Sequence, residues 1–336
     1  MQIYILITKK CNLRCGMCIR GSYSDEDMAF DSLLSRFRIN FDTNDDIVIT
    51  GGEPTLHKDF LKFVKLASQN ARSVSIATNG TLDYYIDKIK EYNNVIIQVS
   101  LDGTQNYHDK LRGNGVYAKV EKTLRILEDT HVPYCIASTV NRGNVEKIKN
   151  LIPYLSTLKS MRYWRISYEM PFGCADKKFM LNSSEWNDFV DKIIAITPFR
   201  LLIKKLFAFE LYDRILNDKS KYKKYKSNRI RNCGNCSKKI YVYPDFEVYP
   251  CTCLTDFPLG NLLKNTLRDI LENEKSGLFI NHKLSDALPC NKCRYYEFCY
   301  GGCIGMSYNI FGNLYSGDIR CPILERYFKK RGDFRL

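Results

Sequence analysis

Three closely spaced cysteines near the start of the chain constrain this sequence more than any other feature. Cys11, Cys15 and Cys18 stand at C-x3-C-x2-C spacing, directly after the apolar run Gln2–Ile7. Three thiolates on one tight loop can bind three irons of a four-iron cubane, which leaves the fourth iron open to a small molecule. A closed structural metal site would need a fourth ligand nearby, and the next cysteine along the chain is Cys135. The loop therefore predicts an open iron–sulfur centre.

Strand-like and helix-like patterns alternate from residue 1 to about 200. The alternation predicts an α/β fold with a parallel sheet that is covered by helices and curved into a partial (β/α)6 barrel. In such folds the chemistry lies at the carboxyl ends of the strands, where the cysteine loop follows the first strand. The predicted strands are Gln2–Ile7, Ile47–Thr50, Val74–Ala77, Val95–Leu101, Tyr134–Val140 and Tyr163–Tyr168. The predicted helices are Met28–Asn40, Leu56–Asn70, Leu82–Tyr92, Val116–Thr130, Val145–Leu158 and Trp186–Ile196, the last with a capping serine in Ser183-Ser184.

The second half of the sequence is rich in cysteine. We expect three parts: the barrel over residues 1–200, a basic helical bridge over 201–232, and a small cysteine-rich domain over 233–336. Short cysteine spacings direct sulfurs toward one centre, and by spacing alone both zinc sites and iron–sulfur clusters are possible. The cysteines of this part are Cys233, Cys236, Cys251, Cys253, Cys290, Cys293, Cys299, Cys303 and Cys321.

Composition narrows the class of protein. The sequence contains no apolar run of the ~20 residues that a membrane-spanning helix needs, and its start is typical of a buried strand and not of an export signal. We therefore expect a cytoplasmic protein whose fourteen cysteines are metal ligands or free thiols rather than disulfides. The net charge is +14, and the run Lys219–Arg231 carries part of it. This run is expected to be a solvated helix or linker, or else a docking face for an acidic peptide; nucleic acid is a minor alternative because no RNA-binding signature is present.

The sequence Cys11-Asn12-Leu13-Arg14-Cys15, together with the spacing of Cys18, resembles the cysteine motif of the radical S-adenosylmethionine (SAM) superfamily. The resemblance implies that the open iron binds the amino and carboxylate groups of SAM. It also implies that an electron from the cluster cleaves SAM to methionine and a 5′-deoxyadenosyl radical, which abstracts a hydrogen atom. Met17 departs from the family, which usually has an aromatic residue before the third cysteine.

Motifs at other strand ends resemble the SAM-binding motifs of the same family. Gly51-Gly52-Glu53-Pro54 follows the second strand and looks like the Gly-Gly-Glu motif, which hydrogen-bonds the SAM amino group. Ser100 ends the fourth strand and is similar to a subgroup serine that meets the ribose or methionine part. Arg112 is the expected partner of the SAM carboxylate, because a guanidinium suits a carboxylate geometrically. Asn141, after the fifth strand, is expected to line the same pocket.

The cysteine spacing of the second half resembles the SPASM domain, an extension of some radical SAM enzymes that carries two auxiliary four-iron clusters. Two positions depart from that family: Asp245-Phe246 stands where it has an Asp-Gly turn, and Thr252 stands where sulfatase-maturating relatives have a base aspartate. Sulfatase maturation is therefore disfavoured. Carried over by position, the first auxiliary set is Cys233, Cys236, Cys251 and Cys303, and the second is Cys290, Cys293, Cys299 and Cys321. Four cysteines in each set favour electron transfer or a structural role over direct substrate binding.

Three cysteines remain outside these sets. Cys135 is expected to be a buried apolar residue in the fifth strand, and Cys253 a bystander beside Cys251. Cys174 follows the sixth strand, near the mouth of the barrel. It is a weak candidate for contacting substrate or donating a hydrogen atom.

We therefore interpret the chain as a radical SAM/SPASM oxidoreductase with SAM and three [4Fe-4S] clusters as cofactors. The expected substrate is a ribosomally made precursor peptide that acquires a crosslink, a thioether or an inverted residue. An external donor such as flavodoxin or ferredoxin would supply electrons. Since the first strand begins at residue 2, a separate leader-binding protein or the basic bridge would bind the leader. The alternatives are a dehydrogenase of a small molecule such as a sugar alcohol and, more remotely, a non-enzymatic zinc or nucleic-acid-binding protein.

Overall fold

One continuous sheet organises the part of the chain that the computed structural model describes, residues 1–227 and 235–332. It has ten strands in these residues, in the order β10-β9-β8-β1-β2-β3-β4-β5-β6-β7. The strands are β1 (Gln2–Thr8), β2 (Asp46–Gly51), β3 (Ser73–Thr78), β4 (Val95–Ser100), β5 (Tyr134–Val140), β6 (Met161–Tyr168), β7 (Leu201–Leu202), β8 (Lys239–Val242), β9 (Glu247–Tyr249) and β10 (Gly260–Asn261).

Strands β1 to β7 pair consecutively and in parallel, which confirms the predicted parallel sheet. Their Ile- and Val-rich sequences suit strands that are covered on both faces, because parallel strands need helices on each side. Six of these strands coincide with predicted ones to within two residues at each end. The strand β7 is additional, and it lies in the range that the sequence assigned to the bridge.

The helices alternate with the strands in the first half and gather beyond β10 in the second. They are α1 (Phe30–Asn40), α2 (Phe60–Asn70), α3 (Ile86–Ile89), α4 (Gln105–Arg112), α5 (Val116–Thr130), α6 (Ile152–Leu155), α7 (Ser183–Ile196), α8 (Phe209–Leu216), α9 (Lys219–Ser227), α10 (Leu267–Glu272), α11 (Glu274–Ile280), α12 (Tyr296–Cys299), α13 (Ile304–Phe311) and α14 (Pro322–Arg331). No helix in the described ranges is long and apolar enough to cross a membrane.

Three helix predictions need correction. The span predicted over 82–92 contains only the single turn α3, and the span over 145–158 divides into a 3-10 turn and α6, which has Pro153 in its first turn. Pro153 has no backbone N–H, so it suits a helix start and not a helix interior. The cap of α7 is Asn182 and not a serine: its side chain accepts from the Glu185 N–H, and Glu185 returns a bond to the Asn182 N–H.

The second half joins the first through the sheet and through a shared core. Strand β8 lies parallel to β1, with Ile3 opposite Ile240 and Tyr4 opposite Tyr241, and it forms an antiparallel hairpin with β9. The Tyr4 and Tyr241 rings stack with centroids 4.6 Å apart. Helix α8 packs on the second half, since Phe209 stacks on Tyr295 at 4.4 Å. Residues 228–231 of the basic run lie outside the described residues.

Candidate active site

A cavity of about 950 Å³ lies at the carboxyl ends of the barrel strands, where the two halves of the chain meet. The first half contributes the three-cysteine loop and side chains from the ends of β4, β5 and β6. The second half contributes the β8–β9 hairpin and the cysteine-rich segments that follow. The lining of the cavity includes Cys11, Cys15, Cys18, Gly51, Gly52, Ser100, Arg112, Glu169, Tyr243, Cys251, Thr252, Cys253, Asp256, Cys303 and Arg320.

The three-cysteine loop follows β1 directly and is fastened to the end of β2. The Gly52 and Glu53 N–H groups donate to the carbonyls of Thr8 and Lys10 at 2.9 and 2.7 Å. A Cβ at Gly52 would collide with the Lys10 carbonyl oxygen, so this approach requires glycine. Cys11, Cys15 and Cys18 are half-buried and all line the cavity. The sequence prediction that the loop stands at the strand ends is thus correct.

The chemistry of the loop suits a cluster that needs three thiolates. Burial raises the pKa of Cys15 to about 11, the Arg112 guanidinium opposes this shift, and the thiols of Cys11 and Cys18 add to it. Buried thiols become thiolates when a metal binds them. In the described residues no three His, Cys, Asp or Glu side chains form a ready-made site for a single ion. Thiolates of a cubane bind different irons and therefore stand farther apart than ligands that share one ion.

Glu53 of the Gly-Gly-Glu motif lies beneath the cavity and supports its floor. Its carboxylate accepts from the Thr55 hydroxyl at 2.6 Å, the Thr78 hydroxyl at 2.7 Å and the Asn79 N–H at 2.7 Å. The side chain is fully buried. Burial raises the pKa of the Glu53 carboxyl, and the hydrogen bonds from these donors offset only part of that shift. Glu53 thereby ties β2 to β3. Gly51 and Gly52 line the cavity, whereas Pro54 is buried in the first position of a 3-10 turn.

Ser100 and Arg112 both line the cavity. Arg112 ends α4 and is held in place by an ion pair, because its Nε donates to Asp102 Oδ2 at 2.6 Å. One of its terminal nitrogens lies 4.0 Å from the Cys15 sulfur. Asp102 is itself fully buried and accepts from the Thr139 N–H at 2.6 Å. This network presents a guanidinium to the space beside the cysteine loop.

Asn141 supports Glu169, a cavity residue that was not predicted from the sequence. The side-chain oxygen of Asn141 accepts hydrogen bonds from the Tyr107 hydroxyl at 3.2 Å and from the Gly143 N–H at 2.6 Å. Its amide therefore points the other way and donates to Glu169 Oε2 at 2.8 Å. Glu169 lines the cavity and Asn141 lies behind it. Burial raises the pKa of Glu169 to about 7, the Asn141 bond opposes the shift, and Asp102 adds to it.

Arg20 is a second residue that sequence reasoning missed. It lies two positions after Cys18, and its guanidinium donates to the Gly51 carbonyl and to the Thr50 hydroxyl. The side chain thus fastens the far end of the cysteine loop to the end of β2. No family motif in the sequence analysis covers this position, so only its closeness to Cys18 could have indicated it.

The second auxiliary set of cysteines comes together in the fold. Cys290 lies in a 3-10 turn, Cys299 ends α12 and Cys321 caps α14. The Cys293 N–H donates to the Cys290 carbonyl at 3.1 Å. Burial raises the pKa of Cys290 to about 12, and the thiols of Cys321, Cys299 and Cys293 each add to the shift. The four side chains are therefore close enough to interact.

The first auxiliary set is brought together only in part. Cys251 and Cys303 line the cavity, whereas the Cys236 thiol is buried and donates to the Ser276 carbonyl at 3.8 Å. Cys233 lies outside the described residues. Cys253 also lines the cavity, with its sulfur 3.5 Å from that of Cys251, although the sequence assigned it no role.

The two positions that depart from the SPASM pattern lie on either side of β9. Phe246 adopts a left-handed backbone with φ of 66°, so the hairpin turn forms without glycine. Thr252 lines the cavity, and its hydroxyl lies 3.2 Å from that of Tyr243. Asp256 lines the cavity as well and accepts from the Tyr308 hydroxyl at 2.6 Å.

The remaining candidates lie at the margins of the cavity or away from it. Cys174 is exposed, and its N–H donates to the Cys18 carbonyl at 2.9 Å, so its loop braces the three-cysteine loop. Its thiol does not line the cavity, whereas Met17 does. Cys135 is fully buried in β5, as predicted.

Comparison with known proteins agrees with this arrangement. The sequence profile of the radical SAM superfamily matches residues 5–152, and that of SPASM, an iron–sulfur cluster-binding domain, matches residues 233–294. A cysteine-type anaerobic sulfatase-maturating enzyme of Clostridium novyi is 25% identical over 360 residues, covering 96% of this chain and 92% of the relative. An AdoMet-dependent heme synthase of Methanosarcina barkeri is 23% identical over 340 residues, covering 94% of each.

A solved structure shares the fold. Streptococcus suis SuiB bound to its precursor peptide SuiA superposes with a TM-score of 0.78 at 14% identity, covering 96% of this chain and 75% of that one. The two family profiles identify the chain as a radical SAM enzyme, and its partial barrel has the architecture of that superfamily. More particularly, its C-terminal part makes it a member of the SPASM subfamily.

Proposed function

We propose that this radical SAM/SPASM enzyme is an oxidoreductase that abstracts a hydrogen atom from a ribosomally made peptide. The observation that carries the proposal is the shared cavity, with the three-cysteine loop on one side and the second half of the chain on the other. When bound, the open cluster and SAM supply the 5′-deoxyadenosyl radical of this superfamily. A substrate that lies along the second half would then face a cofactor held at the strand ends.

The residues of the chain would bind and orient the two cofactors. Cys11, Cys15 and Cys18 would hold the SAM-binding cluster. Gly51 and Gly52, which line the cavity, would meet the SAM amino group, and Ser100 and Arg112 would meet its hydroxyl and carboxylate groups. The remaining candidates would shape the pocket from behind because they are buried, and two of them, Glu53 and Asn141, are hydrogen-bonded to cavity residues. These candidates are Glu53, Pro54 and Asn141.

We further propose two auxiliary [4Fe-4S] clusters, which makes three in all. Fully cysteine-ligated clusters have no open iron, so they suit electron transfer rather than substrate binding. A flavodoxin or ferredoxin would reduce the enzyme. The proposed ligands are Cys233, Cys236, Cys251 and Cys303 for the first cluster and Cys290, Cys293, Cys299 and Cys321 for the second.

A peptide substrate is supported by the second wall of the cavity and by relatives. Tyr241, Tyr243, Tyr249 and Tyr308 line that wall, and tyrosine rings offer apolar area together with a hydroxyl, which suits the mixed surface of a peptide. The Streptococcus suis relative is seen with a precursor peptide bound. A leader could dock on a separate protein or on the basic bridge. Thr252 remains an argument against sulfatase maturation.

A porphyrin-type small molecule is the second candidate, and it replaces a sugar alcohol as the preferred small-molecule alternative. The observation in its favour is the full-length similarity to an AdoMet-dependent heme synthase. A cavity of about 950 Å³ is within the range of small-molecule sites.

Metal analysis tests the cofactor part of the proposal. After anaerobic reconstitution we expect about twelve irons and as many sulfides per chain, which corresponds to three four-iron clusters. The Cys15→Ala variant should lose about a third of the iron and all cleavage of SAM. The matched control is Cys135→Ala, which removes a buried thiol away from the cavity. This variant should retain the full iron content and the cleavage of SAM. About four irons with two zincs would refute the auxiliary clusters, and zinc alone would refute the radical chemistry.

The substrate is tested by supplying SAM, a reductant and each of two probes. The probes are synthetic peptides that correspond to short reading frames beside the gene, and iron coproporphyrin. Formation of 5′-deoxyadenosine that is matched by loss of hydrogen from a peptide would support the peptide assignment. Conversion of the porphyrin alone would overturn it in favour of the second candidate.

A further inference from the structure

One carboxylate just beyond the end of β6 is buried and nevertheless faces the cavity. Glu169 is 7% exposed and belongs to the cavity lining. Within the described residues two other carboxylates line the cavity, Asp245 and Asp256, and both are exposed. Burying a carboxylate is costly, and buried ionisable groups in a cleft are often functional. Of the three, Glu169 is therefore the strongest candidate for a chemical role.

The position of this carboxylate is fixed by the end of β5. The Glu169 N–H donates to the Val140 carbonyl at 2.9 Å, and the next residue, Asn141, donates from its amide to Glu169 Oε2 at 2.8 Å. The Asn141 side-chain oxygen is already bonded to the Tyr107 hydroxyl and the Gly143 N–H, so its amide nitrogen is directed at Glu169. The carboxylate is thus held in one orientation.

The second carboxylate oxygen of Glu169 is left for a bound molecule. Oε1 accepts no hydrogen bond within the described residues, and no lysine or arginine there forms an ion pair with it. Arg112 also lines the cavity, but its Nε pairs with Asp102 at 2.6 Å. Arg320, another cavity residue, pairs with Asp318 at 2.7 Å. A carboxylate oxygen is an acceptor only, so Oε1 suits a donor on the substrate.

The groups around Glu169 allow it to take up a proton and release it. Asp102, at the end of β4, is a negative neighbour, and burial raises the pKa of Tyr107 and of Tyr168, so both hydroxyls stay neutral. Burial also raises the pKa of Glu169 to about 7. A base is most effective when its pKa lies near the operating pH. Near neutral pH both forms of Glu169 are therefore accessible.

The proposed reaction releases a proton that needs an acceptor. Loss of a hydrogen atom leaves an unpaired electron on a carbon of the peptide. Closing a crosslink or thioether at that carbon breaks an N–H, O–H or S–H bond, whose electron pair stays with the peptide and forms the new bond. One proton and one electron are then left over, and in the proposed function an oxidised iron–sulfur cluster takes the electron.

We propose that Glu169 is the catalytic base that accepts this proton on Oε1. The role favours substrates that carry an N–H, O–H or S–H donor close to the carbon that loses hydrogen. An inverted residue regains a hydrogen atom and releases no proton, so the base favours a crosslink or a thioether over inversion. The inference rests on the proposed function, because it needs a peptide from which a hydrogen atom has been removed.

Deuterium transfer separates loss of the hydrogen atom from loss of the proton. The reconstituted enzyme receives SAM, a reductant and a carbon-deuterated form of the synthetic peptide that wild type converts. Glu169→Gln keeps the size of the side chain and an oxygen for the Asn141 amide, but it cannot take the proton. We expect deuterated 5′-deoxyadenosine at close to the wild-type rate, modified peptide reduced about a hundredfold, and a peptide radical that accumulates in electron paramagnetic resonance spectra.

The pH dependence and two further variants sharpen the test. In wild type the yield of modified peptide per 5′-deoxyadenosine should rise as the pH passes through about 7, because the ionised carboxylate is the acceptor. Glu169→Asp keeps the acid on a shorter side chain and should retain part of the yield. The matched control is Asp256→Asn, which changes an exposed cavity carboxylate already bonded to the Tyr308 hydroxyl and should keep the wild-type yield.

Three results would overturn the inference. An unchanged yield in Glu169→Gln would mean that the proton goes elsewhere. Equal losses of 5′-deoxyadenosine and modified peptide would mean that Glu169 serves cofactor binding. Loss of iron in both Glu169→Gln and Glu169→Asp would mean that the carboxylate serves only the fold. A wild-type enzyme that converts no peptide would instead overturn the proposed function, and the inference with it.

Discussion

Glu169 shows how the role of a single residue depends on the neighbours that orient it. The Asn141 amide holds one carboxylate oxygen, and in the described residues no lysine or arginine forms an ion pair with the other. A buried carboxyl without a cation favours its neutral form. Glu169 therefore faces the cavity as a group that can exchange a proton near neutral pH.

This environment predicts a pH-dependent stability that glutamine would remove. Burial raises the pKa of Glu169 from 4.5 to about 7 in the folded protein. Between these values the unfolded chain releases the proton and the folded chain keeps it, so the free energy of unfolding falls as the pH rises. The loss approaches about 3 kcal/mol for a shift of this size. Relative to wild type, Glu169→Gln should gain this amount between pH 5 and pH 8.

Urea unfolding at a series of pH values measures the difference. Glu91→Gln changes an exposed glutamate and is the matched control, for which we expect no such trend. A difference between Glu169→Gln and wild type that stays constant with pH would contradict the prediction.

At the same scale, the sequence predicted residues whose chemistry is local and missed those that depend on distant contacts. The cysteine loop could be predicted because its spacing fixes three sulfurs on one turn. Glu169 and Arg320 could not, since each reaches the lining of the cavity through contacts with residues that are distant in the sequence, Asn141 for Glu169 and Met170 for Arg320. Glu53 was recognised as part of a motif, but its buried position under the cavity follows from its bonds to Thr78 and Asn79.

The hairpin of β8 and β9 shows how an element can keep its shape with an unfavourable residue. Phe246 holds a left-handed backbone, which is costly for a residue with a Cβ. Its ring is 3% exposed in the core, and its carbonyl accepts from the Leu262 N–H at 3.0 Å. Burial of the ring therefore offsets the strain of the turn.

Replacing Phe246 tests which effect is larger. Phe246→Gly would relieve backbone strain of about 1 kcal/mol but lose ring burial of about 3–5 kcal/mol. We expect a net loss of about 2–4 kcal/mol in the free energy of unfolding, measured in urea. Phe246→Leu retains the strain and much of the burial, so it should cost less than glycine. A glycine variant more stable than wild type would show that strain dominates.

Strands and helices whose apolar residues recur at regular spacing could be predicted from the sequence. Helices made mostly of polar residues could not. Strands β1 to β6 have branched apolar side chains that suit a buried sheet. Helix α4 was missed because His108 is its one fully buried side chain, so it shows no apolar stripe. The Asp102–Arg112 ion pair fixes the last residue of α4, and the helix packs against α5.

At the scale of the whole molecule, the two halves share one sheet and should unfold together. Both tryptophans, Trp164 and Trp186, are buried in the first half, so their fluorescence reports on the barrel. Ile240 is fully buried in β8, opposite Ile3. Ile240→Ala should cost about 2–5 kcal/mol and lower the urea midpoint of tryptophan fluorescence, although the substitution lies in the second half.

The matched control is Leu263→Ala, an exposed apolar residue of the second half, which should leave the midpoint nearly unchanged. If the urea midpoint of tryptophan fluorescence is the same in Ile240→Ala as in wild type, the prediction that the two halves unfold together is wrong. The stability of the barrel would then not depend on β8.

The pairing of β8 with β1 also limits how such an enzyme can be recombined. Because β1 lies between β2 and β8, its residues serve two neighbours at once. A chimera that takes its cysteine-rich half from a relative must therefore also match the side chains of β1, such as Tyr4, which stacks on Tyr241. The β8–β9 hairpin and the first strand therefore form one packing unit, and an exchange of the cysteine-rich half would have to change both together.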